Sequence, residues 1–459
     1  MSINNLLFAV RDTLTANQMA LSVIGANIAN VNTPGYSRQR ADMIAVGDVS
    51  IKGLGAQFGV DVQQVSRIYD RYIESQLLLQ QQTTAYSDAM LQSLQNIETI
   101  LDDTNGGGIN AQLDRFWASW EDLANNPSGK LERNALLSTA ESLAGAIGSY
   151  KQSLDSVNTE LNRSIADTVP LINDKIREIA DLTEQVIAAG TNTGNLNNIL
   201  DKRTSAFQEL GTMININYFE TSNGTLNVYL ANGEPLMQGA ISQTLSFSIS
   251  NGKTDIYSTN SPNAINSAIT SGKLGAYVEL QQNILPGYID DLNDMTSALA
   301  ARVNALHSSG FDADGNMGMD FFSIINPANP ASSISVNPII SADINRIAAS
   351  LSVSGDGNNA TKLAAVRDEF LMDGGKQTLS DFLATMVGEI GRQTANAKTN
   401  SSHQATIMSY LSNQRESVSG VSIDEEMILL TQYQMGYAAA GKLSASVNEM
   451  LDILMSIVE

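Results

Sequence analysis

The chain has no cysteine and only two histidines, His307 and His403, among 459 residues. Disulfides and thiolate chemistry are thereby excluded, which suits an extracytoplasmic protein without requiring one. The histidines stand far apart and neither belongs to a metal-binding pair such as H-E-x-x-H. His307 follows a helical stripe and His403 lies in a polar run, so both read as structural or solvated. Positive charge is also scarce: 26 Lys and Arg face 48 Asp and Glu, a net charge of −22. A protein that grips nucleic acid or anionic lipid needs a basic footprint, so neither partner is expected. No apolar stretch approaches the ~20 residues of a membrane-spanning helix, and no membrane insertion is expected. The opening "MSINNLLFAVRDTL" has neither a basic segment nor a cleavage site, which predicts no cleaved signal peptide.

Motifs of catalysis and cofactor binding are missing as well. No phosphate-binding loop, G-x-G-x-x-G or G-x-S-x-G is present. "DADGN", Asp312 to Asn316, has its glycine out of register for a calcium loop and Ser323 where the bidentate carboxylate belongs, so it reads as a turn. Isolated carboxylates leave a two-carboxylate hydrolase open in principle, but the sequence singles out no pair. No enzymatic activity, cofactor or metal is expected.

What is present begins with "NIANVNTPGYSRQ", Asn27 to Gln39. Asn30 and Asn32 can bond neighbouring backbone groups and so end a helix. Pro34 fixes φ and pushes Thr33 out of the α region, while Gly35 permits positive φ. Thr33-Pro34-Gly35-Tyr36 therefore predicts a type II turn directly after a helix stop.

The helix before that stop carries Ile3, Leu7, Val10, Leu14, Asn17, Leu21, Ile24, Ile28 and Val31, in alternating steps of three and four residues. Such a stripe fits either an amphipathic helix on a globular core or a heptad seam, and its narrowness favours the seam. Asn17 is its one polar position, a device that fixes register at a cost in stability. The far end of the chain repeats the pattern with Leu429, Tyr433, Gly436, Ala440, Leu443, Val447, Met450, Leu454 and Ile457, widened by Leu430, Tyr437, Leu451 and Val458. Asp424, Glu425 and Glu426 follow Ser422 and fall in the first turn, where carboxylates favour the helix dipole. The two ends are predicted to pair as a coiled coil.

Between them, helical stripes run from Val65 to Leu101, stopped by Gly106-Gly107-Gly108, then through Leu113 to Leu123, Leu136 to Leu161, Ile172 to Val186 and Leu285 to Leu306. Pro170 is expected to break or kink the helix around it. Residues 213–257 change to a period of two, punctuated by Asn223-Gly224, Asn232-Gly233 and Asn251-Gly252, the signature of β-hairpins. The predicted fold class is mainly α with an inserted small antiparallel β domain. Its parts are a terminal coiled-coil domain (1–40 and 418–459), a helical middle domain (41–212, 272–322 and 363–417), the β insert (213–271), and a loop-rich segment (323–362) with a short strand at Ile334 to Val336.

The opening turn and closing helix together resemble the flagellar rod, hook and junction family of axial proteins, and the continuation "SRQR" after the turn resembles its junction members. "NNILDKR" (Asn197 to Arg203), "NALHSSGFDADGN" (Asn304 to Asn316) and "LSNQRESVSGVSIDEEM" (Leu411 to Met427) fit the same members, so the resemblance spans most of the chain. It implies a structural, self-associating layer at the distal end of the hook that connects hook to filament. It further implies the hook protein and hook-associated protein 3 as partners, a flagellar export chaperone, and an extracellular position reached through the flagellar type III apparatus. Alternatives are another axial protein, such as hook-associated protein 3 or a distal rod component, and an axial protein with cell-wall hydrolase activity. The middle is shorter than in larger members, which implies that an outermost domain is missing. The turn residues Asn27, Asn30, Asn32, Thr33, Pro34, Gly35 and Tyr36 and the two seams are the expected assembly determinants.

Overall fold

The computed structural model describes residues 3–51, 54–101, 107–190, 193–221, 224–259, 261–352 and 355–458. Gly106 and Asn223 of the glycine-containing stops therefore lie outside the described residues, as do the side chains of Ile3, Leu454, Ile457 and Val458.

Helix α1 (Ile3–Ala29) opens the chain and α11 (Ile423–Val458) closes it. The two run antiparallel: Val10 and Thr13 face Gly436 and Ala440 across one groove, and Ala20 and Ile24 face Leu429 and Tyr433 across the next. Val31, included in the predicted seam, falls beyond the end of α1. Strands β1 (Gln39–Ile51) and β2 (Leu54–Arg67) then form a long antiparallel ribbon. Its base packs on the terminal pair, where Ala20, Val23 and Ala41 are buried against Met43, Val62, Val65 and Tyr433.

This ribbon corrects the expectation that the helical middle domain starts at residue 41 and its first helix at Val65. Val60, Val62 and the residues between them alternate with period two, and helix α2 (Arg71–Leu101) starts only after Asp70. The Asp70 carboxylate accepts from the N–H groups of Tyr72 and Ile73 at 2.8 and 3.2 Å, satisfying donors that the first helical turn leaves open.

The body is built from α2, α3 (Ile109–Asn125), α4 (Lys130–Ala189) and α5 (Thr193–Met213), followed after the β region by α6 (Gly272–Glu279), a π turn over Leu280–Ile284 and α7 (Leu285–Ser308). Helix α4 runs on through Pro170, so of the expected break or kink the break does not occur. Proline removes one backbone donor, but Ile165, Val169, Ile172 and Ile176 on the same face are fully buried in one core and hold the helix across the gap.

The β region comprises β3 (Asn217–Glu220), β4 (Leu226–Tyr229), β5 (Pro235–Gln238) and β6 (Ile241–Ser242) in one sheet, and the hairpin β7 (Leu245–Ser250) with β8 (Lys253–Ser258). Asn251 and Gly252 both adopt positive φ, the geometry of a type I′ turn. The first half of α4 contributes to a core around Phe116, Trp117, Trp120, Phe321 and Phe322, the second half to a core with Phe207, Val228, Leu236 and Ile256.

In the segment 323–362, the strand Ile334–Val336 (β10) pairs with Phe322–Ile324 (β9), and the segment is less loop-like than expected. It also contains α8 (Pro338–Ala342), capped by Asn337, and the start of α9 (Asn358–Ala365). The long helix α10 (Leu379–Ser419) packs along α2 and returns the chain to α11.

Candidate assembly site at the neck

The site grows from the end of α1. Asn30 Nδ2 donates to the Ala26 carbonyl at 2.9 Å and its Oδ1 accepts from Thr33 Oγ1 at 3.2 Å, closing the helix end. The N–H of Tyr36 then donates to the Thr33 carbonyl at 3.2 Å, and Gly35 sits between them at φ +79°. These are the bond and the backbone sign of a type II turn. Asn32, Thr33 and Pro34 are exposed on its outer side.

Asn27 is 1% exposed, and its amide uses its full bonding capacity. Nδ2 donates to the Gln39 carbonyl (2.9 Å) and to Glu426 Oε2 (3.1 Å). Oδ1 accepts from the Gln39 N–H (3.0 Å) and from the Tyr36 hydroxyl (2.8 Å). One side chain thus ties together α1, the turn, the first residue of β1 and the start of α11. A buried amide missing one of these bonds would lose about 1–3 kcal/mol, so the arrangement is selective as well as stable.

Arg38 completes the neck. Its Nε donates to Glu426 Oε1 and one terminal nitrogen to Glu425 Oε2, both at 2.7 Å. The Glu426 side chain is 1% exposed and that of Glu425 is 62% exposed, so the inner pair carries the desolvation and the outer one little energy. The backbone of Arg38 is engaged too: its N–H donates to Ser419 at the end of α10, and its carbonyl accepts from Ile68 after β2. Tyr36 is pushed up to about 12, first by burial and then by the neighbouring charges of Asp201 and Glu426, and it remains a neutral donor to Asn27.

The seam residues divide into two groups. On α1, Val10 and Ile24 are buried, and Leu7, Leu14, Asn17, Leu21 and Ile28 are half-buried. A second buried line lies one position aside, at Ala9, Ala16, Ala20, Val23 and Asn27, because α1 is wedged between α11 and the ribbon. On α11, Val447 is buried and Leu429 and Tyr433 half-buried, but Leu443 and Met450 are 47% and 42% exposed. Their expected place in a closed two-helix seam is corrected: one partner helix cannot cover a stripe that wide. Asn17 donates to its own helix at Thr13 (2.7 Å) and its Oδ1 lies 2.9 Å from where a β-carbon on Gly436 would stand.

Sequence reasoning placed Asn27 and the turn but missed Arg38 and Glu426 as partners. The D-E-E run was legible only as a helix start, since nothing local says which basic residue a carboxylate will meet.

His307 and Asp312, two further polar residues of the predicted motifs, are held in place by hydrogen bonds. His307 is fully buried, with Nδ1 against the Met319 carbonyl (2.5 Å) and Nε2 accepting from the Ala348 N–H (2.9 Å). Burial pushes it down to about 4. Asp312 accepts from the N–H groups of Asp314 and Asn316 at 2.9 and 2.8 Å, which makes "DADGN" an Asx-type turn. Among the described residues there is no cluster of His, Asp or Glu suited to a metal, and no helix long and apolar enough to cross a membrane.

Comparison with known proteins follows the same division of the chain. Residues 94–322 match the family described as flagellar hook-associated protein FlgK helical domain. Residues 8–36 match flagella basal body rod protein, and residues 413–457 match the flagellar basal body rod FlgEFG protein C-terminal family. Flagellar hook-associated protein 1 of Bacillus subtilis is 28% identical, covering 97% of this chain and 96% of that protein. Its Escherichia coli namesake is 26% identical over 97% and 98% of the two chains. That alignment runs over 539 residues against 459 in this chain, so the relative carries stretches absent here. The solved structure of the flagellar hook junction protein FlgK from Burkholderia pseudomallei shares the fold, with a TM-score of 0.67 at 15% identity over 75% of this chain and all of that one.

Proposed function

From a chain that belongs to the flagellar hook-associated protein 1 family, a structural component of the flagellar axis at the hook–filament junction, we propose that the neck and the outer face of α11 are its assembly determinants. The family is a structural one, and no catalytic role is assigned. The observation that carries the proposal is the side of α11 turned away from α1, where Met427, Ile428 and Met435 are exposed together beside Thr431 and Gln432, while Leu429, Tyr433, Ala440 and Val447 face α1. Three large apolar side chains left open side by side mark a contact surface, and neighbouring subunits of a ring or short helical layer would cover them. The hook protein on one side and hook-associated protein 3 on the other are the partners this layer would meet. The neck supplies the second requirement of a repeating layer: each copy presents its terminal helices to the body at one angle.

Export through the flagellar type III apparatus, with an export chaperone shielding the same apolar side chains beforehand, fits the uncovered face of α11. The test uses hooks purified from cells lacking this protein. The full-length chain is expected to bind their distal ends and restore filament growth. Met427→Asp combined with Met435→Asp, which leaves the α1-facing side intact, is expected to fold and yet fail to bind. Normal capping by that variant would refute the proposal.

A further inference from the structure

The motif "NNILDKR" is not used by the assembly reading, yet its residues on α5 meet the chain just after the turn in a regular order. Asn198 Oδ1 accepts from Gln39 Nε2 (3.5 Å), and Asn197 Nδ2 donates to Gln39 Oε1 (3.4 Å) and to the Val65 carbonyl (2.8 Å). One helical turn on, Asp201 Oδ2 accepts from the Ser37 N–H at 3.3 Å. Its Oδ1 accepts from Arg67 at 2.7 Å, with both side chains about nine-tenths buried. A turn further, Ser205 Cβ lies 3.5 Å from where a β-carbon on Gly35 would stand. Steps of four along α5 thus meet steps of two, in reverse order, from Gln39 to Ser37 to Gly35.

The match has a geometric cause. Four helical residues rise about 6 Å, and two residues of extended chain span about 6.6 Å. The segment from Ser37 to Gln39, laid antiparallel to α5, therefore keeps register over that step, the turn at Gly35 brings the chain onto Ser205 one helical turn further, and a shift by one residue would turn the Ser37 N–H away from Asp201. We propose that this face of α5 is a docking strip that sets the angle between the ribbon base and the body, with Asp201 as its positioning residue. Asp201 reads the crossing segment through its backbone and the ribbon through Arg67, so it fixes both strands leaving the neck relative to α5.

The absence of cysteine allows a test in the full-length free chain, independent of whether it assembles. Gln63→Cys on β2 and Ser142→Cys on α4, both exposed, accept spin labels, and pulsed dipolar spectroscopy reads the ribbon-to-body distance distribution. A single narrow distribution is expected in the labelled parent. Asp201→Ala is expected to broaden it at least twofold, and Asp201→Asn less, because the amide oxygen still accepts from Ser37. Arg67→Gln removes the ion pair from the ribbon side and is expected to broaden it likewise, which decides the matter if Asp201→Ala fails to fold. A parent distribution already broad would overturn the proposal. So would substitutions that lower the melting midpoint while leaving the width unchanged, since that marks a merely stabilising contact.

Discussion

The amide of Asn27 and the carboxylate of Glu426, 399 positions apart in the chain, are joined by a 3.1 Å hydrogen bond from Nδ2 to Oε2. Asn27→Asp replaces that donor with a second carboxylate and also leaves the Gln39 carbonyl without its partner. The expected loss is about 2–4 kcal/mol in the neck, with Glu426→Gln in the same chain restoring part of it. Denaturant unfolding of the three proteins checks this; equal midpoints for parent and single variant would refute it.

Gly35 has φ +79°, while a β-carbon there would stand 3.5 Å from Ser205, an ordinary contact. Backbone strain alone therefore decides the outcome of substitution. Gly35→Val is expected to cost about 1–2 kcal/mol or more and to impair assembly more than folding, whereas Gly35→Asn is tolerated better. Filament growth on hooks supplied with each variant, beside thermal melting, distinguishes the two effects.

A β-carbon on Gly436 would lie 2.9 Å from Asn17 Oδ1. Gly436→Ala is thus expected to push the Asn17 amide aside and strain its bond to Thr13, and Asn17→Ala in the same chain to relieve that strain. The double-mutant coupling should fall in the range of about 0.5–3 kcal/mol typical of touching residues. Additive effects in unfolding experiments would show that the two helices do not register through this pair. Asn17→Leu alone should favour association of the terminal helices while weakening its specificity.

His307 is buried neutral, its titration pushed down from 6.5 to about 4 by burial. Between those values the unfolded chain holds a proton that the native chain does not, so stability is full above pH 6.5 and falls as pH drops towards 4. The contribution at stake is about 3 kcal/mol. Imidazole NMR across that range gives the direct check, and titration of His307 near its ordinary value would contradict the burial argument.

The exposed apolar face of α11 bears on the free monomer. With one side uncovered, the terminal helices gain only part of the burial that offsets their ordering. Limited proteolysis of dilute chain is expected to cut first before about Tyr36 and after about Val418, leaving a resistant body. Equal resistance along the whole chain would mean that the arms already form a self-sufficient unit.

Local pattern was sufficient wherever the cause is local. The stop at Asn30, the turn at Thr33 to Tyr36, the Asn251-Gly252 hairpin and the paired terminal stripes all follow from torsional preference or from a period of 3.5 or 2, which the sequence carries by itself. The same local rules do not foresee that α4 continues past Pro170, and they misread the segment from Gln39 to Arg67. There the outcome was set by what the residues pack against: a buried face on both sides of Pro170, and the terminal helix pair beneath the ribbon. Asn27, Arg38, Asp201 and Glu426 mark the limit most clearly. Each is an ordinary polar letter in the sequence, and its partners lie 9 to 399 positions away. Hydrogen bonds and ion pairs have no periodicity, so only the tertiary structure decides which polar groups meet in the neck.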